Sequence, residues 1–425
     1  MRLYDTFTRG LRDLPPVPGP IRMYFCGPTV YQRIHVGNAL AVSVLPLWLK
    51  RWLEEAGYET KLAVNITDIN DKIYDAAPGA SAQLASDASR WYVEDTDRLG
   101  LGRPDVEPTA VETVKDQIAM IEQLVERGFA YPVEGDVYFR VASFPEYGRL
   151  SRQRLDQVEQ GEEANPLKED PRDFALWKAS KPGEDTSWDS PWGRGRPGWH
   201  IECSVMSEKH LGPEFEIHGG GLDLVFPHHE NEIAQSRALG HPFAQLWMHN
   251  GMLTFSGEEM HKSVGNDVSL KAALDQWGRE TLLVFFLTGH WRKPLEYSDA
   301  TLEAAAARAE GFRDVFRNPH EPAPAGAWER FAAALDDDFN TPAALAVMHE
   351  WRDHELLRRA LGLFGLESLA EQEEAPAEIA ELAAKREAAR QSRDFEQADR
   401  LRDELEAAGW EARDEPGGYR LVPRR

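Results

Sequence analysis

Apolar residues first gather at Arg22 to Phe25, a short run that predicts a strand leading into the turn-rich Cys26-Gly-Pro-Thr-Val-Tyr. From Ala39 through Leu47, Leu49, Trp52 and Leu53 to Gly57 the spacing becomes helical. Thr60 to Val64 supplies a second strand, closed by the polar loop Asn65-Ile-Thr-Asp-Ile-Asn-Asp. Strand, glycine-bearing loop, helix and strand in that order open a parallel α/β sheet.

Helical patterns follow at Ser81 to Leu99 and Ala110 to Arg127. The texture then changes: Phe129 to Arg196 reads as short strands, such as Asp136 to Val141, and loops rich in Pro, Gly, Trp and charge, which is the pattern of an insertion. Strand character returns at Phe215 to His218 and Leu246 to Leu253, and amphipathic helices are expected from Ser269 to the end. Asn318 to Ala327 and Glu371 to Ala377 read as linkers. The expectation is an interrupted α/β domain with an all-helical tail.

Composition narrows the function classes. Of 425 residues 42% are hydrophobic, 28% charged and 10% aromatic, which is ordinary globular usage and excludes wholesale disorder or a collagen-like chain. The 72 acidic and 48 basic side chains leave a formal charge of -24, so any polyanion must meet a local basic surface. Two cysteines cannot build a disulfide framework. Met1 to Asp13 has no apolar core of a leader, and no uncharged run reaches the ~18 residues of a membrane span. The chain is expected to be cytoplasmic, without a membrane partner, and monomeric.

Candidate metal chemistry comes from a few positions. A helix opening at Pro227 would project His228 and Glu232, four apart, from one face. Cys26 and Cys203 both read as lying in glycine- and aromatic-rich loops rather than in helical stripes. Two thiolates, an imidazole and a carboxylate are a plausible zinc set, although spacing alone leaves open that the cysteines merely pack.

Longer blocks add to this reading. Cys26-Gly-Pro-Thr-Val-Tyr-Gln-Arg-Ile-His-Val-Gly-Asn-Ala, Asn65-Ile-Thr-Asp-Ile-Asn-Asp-Lys-Ile, Gly198-Trp-His-Ile-Glu-Cys and His218-Gly-Gly-Gly-Leu-Asp-Leu-Val-Phe-Pro-His-His-Glu-Asn-Glu occur in this order. Together with Asp337-Asp-Phe-Asn-Thr-Pro and Asp394-Phe-Glu-Gln-Ala-Asp-Arg-Leu, they resemble the cysteinyl-tRNA synthetases, a family of class I aminoacyl-tRNA synthetases. The resemblance implies a Rossmann-type catalytic domain with a parallel sheet, its halves at 1–130 and 197–268, interrupted by a connective peptide at 131–196. It further implies a helical junction at 269–317 and, at 318–425, a helical anticodon-binding region with a small C-terminal module.

By the same resemblance Cys26, Cys203, His228 and Glu232 would hold zinc. Gly27, Thr29, Thr67, Trp199 and His218 would join Cys26 around the substrate cysteine. His35, Gly37 and Asn38 match the first nucleotide signature, with Asn38 replacing a histidine, and Gly219, Gly220 and Asp223 would approach adenosine. ATP, with its Mg2+, L-cysteine and tRNA(Cys) are the implied partners. The second signature departs further. It reads Glu259-Met260-His261-Lys262-Ser263, with an acid replacing the first lysine, so slowed activation is expected, with Met260 on ATP and Lys262 as the remaining catalytic cation. In the tail, Arg390, Phe395, Asp399 and Asp414 would face the anticodon. Alternatives are a cysteine ligase acting on an amino-sugar acceptor, of the mycothiol type, and a weakly active or inactive paralogue.

Overall fold

The computed structural model describes residues 1–154, 165–255, 258–259, 267–371, 375–415 and 418–423. An N-terminal hairpin, β1 (Arg2–Asp5) and β2 (Gly10–Asp13), precedes β3 (Ile21–Phe25). Next comes a helical run of α1 (Val36–Ala39), a wide π-type turn at Leu40–Val44 and α2 (Leu45–Glu55). Pro46 accounts for the wide turn: it has no N–H to continue the ladder, so the helix opens before it. The run starts three residues earlier than periodicity alone predicts, and Gly57, at φ +89°, ends it.

β4 (Thr60–Val64), α3 (Asp71–Ala76), α4 (Ser81–Asp97) and α5 (Val114–Glu126) complete the first half. The inserted region is a four-stranded antiparallel sheet of β5 (Ala130–Val133), β6 (Asp136–Phe139), β7 (Phe174–Ala179) and β8 (Gly195–Pro197). α6 (Trp199–Leu211), β9 (Glu214–Gly221), α7 (Glu230–Ala238) and β10 (Phe243–Asn250) return to the main sheet, whose order is β10-β9-β3-β4 with every pair parallel. Tyr24, Phe25, Leu62, Val64, Ile217 and Met248 are all fully buried in it, as expected for strands covered on both faces.

β11 (Leu253–Phe255) and β12 (Glu258–Glu259) form a ribbon, after which come α8 (Leu270–Leu287) and β13 (Leu295–Tyr297). The single strand expected at Leu246 to Leu253 is therefore two, broken at Gly251, where an added Cβ would meet the Lys293 carbonyl oxygen at 2.3 Å. Helices α9 (Asp299–Arg317), α10 (Ala327–Asp336), α11 (Thr341–His349), α12 (His354–Leu363), α13 (Ala377–Gln391) and α14 (Phe395–Ala407) make the C-terminal region. It closes in an antiparallel hairpin, β14 (Trp410–Glu415) with β15 (Gly418–Pro423), so the tail is helical but not all-helical. The reason is a period of two: Trp410, Ala412, Tyr419 and Leu421 pack on Ile379, Ala383 and Leu405 in a small core of their own.

Candidate functional site

The strand ends β3, β4 and β9 converge where their loops meet. Cys26 follows β3 directly, its N–H donating to the Gly219 carbonyl at 3.0 Å. Asn65, just past β4, accepts from the Gly27 N–H at 2.8 Å and donates to the Thr67 hydroxyl at 3.0 Å. Gly27 has to be glycine: a Cβ there would lie 1.6 Å from the Asn65 carbonyl oxygen. Thr29 and Thr67 bridge the two loops. The cysteine-side residues read from the sequence thus share one corner of the sheet.

Cys203 enters not from a loop, as expected, but from α6, whose helix already starts at Trp199 one turn earlier, and its thiol approaches Asn65 Oδ1 at 3.8 Å. The helix expected at Pro227 opens later, at Glu230, because Phe226 is extended and only a wide turn at Val225–His229 precedes α7. His228 and Glu232 still meet, Nε2 to Oε1, at 3.1 Å. His218 on β9 reaches the other oxygen of Glu232 at 2.9 Å and stacks on Trp247. Trp199, 36% exposed, stacks on His228 with ring centroids 4.3 Å apart and so caps the pocket.

Ligand atoms of Cys26, Cys203, His228 and Glu232 lie within 4.8 Å of one another, and all four residues are buried. This donor set could hold a metal ion. A second set, Cys26, His218, His229 and Glu232, meets the same limit. Sequence reasoning missed His229, which sits three residues before Glu232 and next to the chosen imidazole. It also missed His200 and His249. His229 Nε2 lies 3.3 Å from Cys26 Sγ, and its Nδ1 lies 2.7 Å from His249 Nε2, whose Nδ1 is 2.8 Å from the Thr6 hydroxyl. His200 Nδ1 is 2.9 Å from His228 Nδ1. For His200 and His229 the available signal was their place inside the quoted blocks; His249 follows the strand pattern at Leu246 with no motif of its own.

Burial governs the protonation of this pocket. It pushes the Cys26 thiol well above its ordinary range and raises Cys203 as well. The same loss of solvent lowers His228, His200 and His249 to about 3. Without a metal the two thiols and the rings of His200, His228 and His249 are therefore neutral near pH 7.

Among the residues expected to bind nucleotide, His35 caps α1. The Asn38 N–H donates to His35 Nδ1 at 3.3 Å, and Asn38 Oδ1 accepts from the His35 N–H at 3.4 Å, a reciprocal box. A Cβ on Gly37 would lie 3.0 Å from the His35 ring. Gly219 and Gly220 belong to β9 rather than to a turn, with Asp223 in the short helical turn Leu222–Leu224 that follows. A Cβ on Gly219 would meet the Phe25 ring at 2.1 Å, so packing by itself demands that glycine. Val268 and Leu270 pair their backbones with Val36 and Ile34, which brings the chain after the second signature onto the first. Met260, His261, Lys262 and Ser263 lie outside the described residues, and of Glu259 only the backbone is described, paired with Thr254.

The tail residues do not join this site. Arg390 and Asp414, both expected to face the anticodon, form an ion pair with each other, with Arg386 3.4 Å from the same carboxylate. Asp399 pairs with Arg402 at 3.1 Å. Phe395, at the start of α14, is 64% exposed.

Residues 15–307 match the catalytic domain of class I tRNA synthetases, C type, and residues 330–366 match the DALR domain. A cysteine–tRNA ligase of Geobacillus thermodenitrificans is 41% identical, covering 99% of this chain and 98% of its own length. One from Methylobacillus flagellatus is 43% identical with 98% of each chain covered. These alignments run over 465 and 450 positions, so the relatives carry segments absent from the 425 residues here. In fold, the methionyl-tRNA synthetase of Mycobacterium tuberculosis solved with methionyl-adenylate superposes with a TM-score of 0.60 at 15% identity, over 83% of this chain and 88% of that one. A converging donor pocket at the ends of a parallel sheet, a matching catalytic-domain model and near-full-length identity above 40% agree: the chain belongs to the cysteine–tRNA ligase family of class I aminoacyl-tRNA synthetases.

Proposed function

We propose that the protein activates L-cysteine with ATP and transfers it to tRNA(Cys). The observation that carries this reading is the mutual approach of Cys26, Cys203, His228 and Glu232 within 4.8 Å in a chain of this family. Two soft sulfurs, an imidazole and a carboxylate at this span suit a four-coordinate ion with bonds of about 2.0 to 2.3 Å, and zinc is the ion that combination favours. When bound, zinc prefers a substrate thiolate to a serine hydroxyl, which gives selection without a second hydrolytic site.

This chain's own residues do the rest. Gly27, Thr29 and Thr67 border the amino acid at the loop corner, Trp199 covers it and His218 walls the base. His35, Gly37 and Asn38 present a capped helix start to the ATP phosphates, which arrive with Mg2+, while Gly219, Gly220 and Asp223 line the adenosine side. The substrate carboxylate oxygen attacks the α-phosphorus and pyrophosphate leaves. The terminal ribose hydroxyl of tRNA then attacks the carbonyl carbon, and AMP leaves. Positioning and charge neutralisation supply most of the acceleration in such a step. Lys262 and Met260 act on the triphosphate as pyrophosphate leaves, by their place in the second signature. Phe395, Arg390, Asp399 and Asp414 serve the anticodon end. No helix of the described residues is long and apolar enough to cross a membrane, and we read the protein as a cytoplasmic monomer.

The test is cysteine-dependent ATP–pyrophosphate exchange followed by charging of tRNA(Cys), with serine as competitor. Exchange and charging with cysteine alone support the reading. Exchange without charging points to a different acceptor, and neither activity overturns it.

A further inference from the structure

The turn between α10 and α11 has two consecutive non-glycine residues in the left-handed region, Asp338 at φ +62° and Phe339 at φ +46°. Such a backbone persists only where its surroundings over-determine it. Asp338 is 4% exposed, and its polar groups bond outside its own helices. Oδ1 accepts from the Tyr4 N–H at 2.8 Å and Oδ2 from Arg292 Nε at 2.7 Å. Its N–H donates to the Arg2 carbonyl at 2.9 Å, and its own carbonyl accepts from Trp291 Nε1 at 2.7 Å. His290 Nε2 lies 3.5 Å from Oδ2. The Arg292 guanidinium also sits 4.3 Å from the centre of the Tyr4 ring, tying the two captured segments to each other.

Both segments run to the same edge of the catalytic sheet. From β1, Asp5 accepts from the Trp247 N–H at 3.0 Å and Thr6 donates to the Trp247 carbonyl at 2.9 Å, which secures β10. From the junction, Trp291 accepts from the Gly251 N–H at 2.8 Å, and Leu295 donates to the Met252 carbonyl at 3.2 Å. β13 then continues parallel to β11. Contact at Gly251 is backbone to backbone. Gly251 and Met252 follow Asn250, which pairs with Gly221 at the end of the glycine run, and Met252 Sδ is 4.0 Å from where a Gly221 Cβ would stand. The chain held by Asp338 therefore borders the nucleotide side of the cleft, whereas the metal donors come from the ends of β3, α6 and α7.

We propose that Asp338 is a positioning residue for adenylation: without touching substrate, it holds the His290–Lys293 segment against Gly251–Met252 and so sets the nucleotide-facing edge of the cleft. The inference rests on the cysteine-activating reading and deepens it, because it assigns the helical region a part in the first half-reaction, before tRNA is involved. A carboxylate is required. An amide at 338 would place an N–H against the Arg292 guanidinium or the Tyr4 N–H, donor against donor.

The experiment is ATP–pyrophosphate exchange on the full chain, varying ATP and cysteine separately, for Asp338→Asn, Arg292→Lys and the double variant. Arg292→Lys keeps the charge but loses the Nε donor, and it provides the reading if Asp338→Asn does not fold. A rise in ATP KM of about tenfold in each single variant, with cysteine KM and metal content within about twofold of the parent, is the expected split. The double variant should show no further rise, since both changes break one contact. ATP KM unchanged within about twofold in the folded variants, or ATP and cysteine KM rising together, overturns the proposal. If the parent itself shows no exchange, the activating reading has failed, and calorimetric titration of ATP into the same proteins decides the positioning role: a weaker Kd in the variants supports it and an equal Kd overturns it.

Discussion

The donor pocket and the C-terminal module handle polar groups in opposite ways. In the pocket, Cys26, Cys203, His218, His228, His229 and Glu232 are between 0% and 3% exposed, and much of their contact is with one another. Burying so many ionisable groups is costly unless something compensates, and burial keeps the Cys26 and Cys203 thiols protonated and the His228 and His229 rings neutral. In the module, Arg390 and Asp414 pair at the surface and Phe395 stands in solvent. A surface pair contributes little and is readily exchanged for another partner. The pocket's polar groups are therefore committed to one another, while those of the module stand at the surface, open to an outside partner.

The largest effect expected along this contrast is at Cys203. Loss of an outer hydrogen-bond partner alone costs metal sites about 10- to 100-fold, so removing the proposed ligand in Cys203→Ala should cost more than about 100-fold in exchange. It should also leave well under one metal per chain, read by metal analysis of the purified protein. A fully metallated, active variant would break the comparison. Next is pH. Both thiols are held above their ordinary range, so below that range each is protonated in the metal-free pocket and must lose its proton on metal capture. Apparent affinity then rises with pH, by about 100-fold per unit for two protons, in competition titrations with a chelator. His228, held at about 3, is already neutral near pH 6.5. A slope that steepens below pH 6.5 would show that an imidazolium also has to be cleared.

His249→Ala sharpens the contrast within the pocket. It removes the group next to His229, and metal affinity should fall by about 10-fold or more, the lower end of the range for outer partners. Unchanged affinity would mean that the Thr6–His249–His229 chain is mere packing. Smaller still is Phe395→Ala, where a lost base stack of about 1 kcal/mol or more should raise the KM for tRNA roughly fivefold or more with exchange unaltered. The smallest effect is on stability: Arg390→Ala should shift unfolding by less than about 1 kcal/mol in a denaturant titration. A larger shift would mean that the ion pair holds β14 to α13 rather than waiting for a partner.

Cys26, Cys203, His228 and Glu232 were legible because their flanking blocks are distinctive, and the i,i+4 relation of the last two survives even though the turn before α7 is not α-helical. His200, His229 and His249 were not legible, since their role depends on which rings meet across α6, β10 and the Val225–His229 turn. The glycine run was read for its close approach to adenosine, yet Gly219 is demanded by the Phe25 ring, a neighbour nearly 200 positions away in the chain. The final hairpin was missed because a helical period was carried past Ala407, where the spacing turns to two. Arg390 and Asp414 were read as separate contacts because nothing in their spacing says that β14 returns to α13.

The amino-acid sequence by itself determined the alternation of strands and helices, the residue types available for metal and nucleotide chemistry, and the family. All of these follow from local periodicity and short motifs, which act over a few residues. Tertiary structure alone decided which imidazoles surround the thiols, which glycines are sterically obligatory, and that one aspartate in a strained turn ties the N-terminal strand and the junction to the edge of the catalytic sheet. Those outcomes depend on contacts between segments far apart in sequence, where packing, exclusion of water and hydrogen-bond geometry act together and leave no periodic trace.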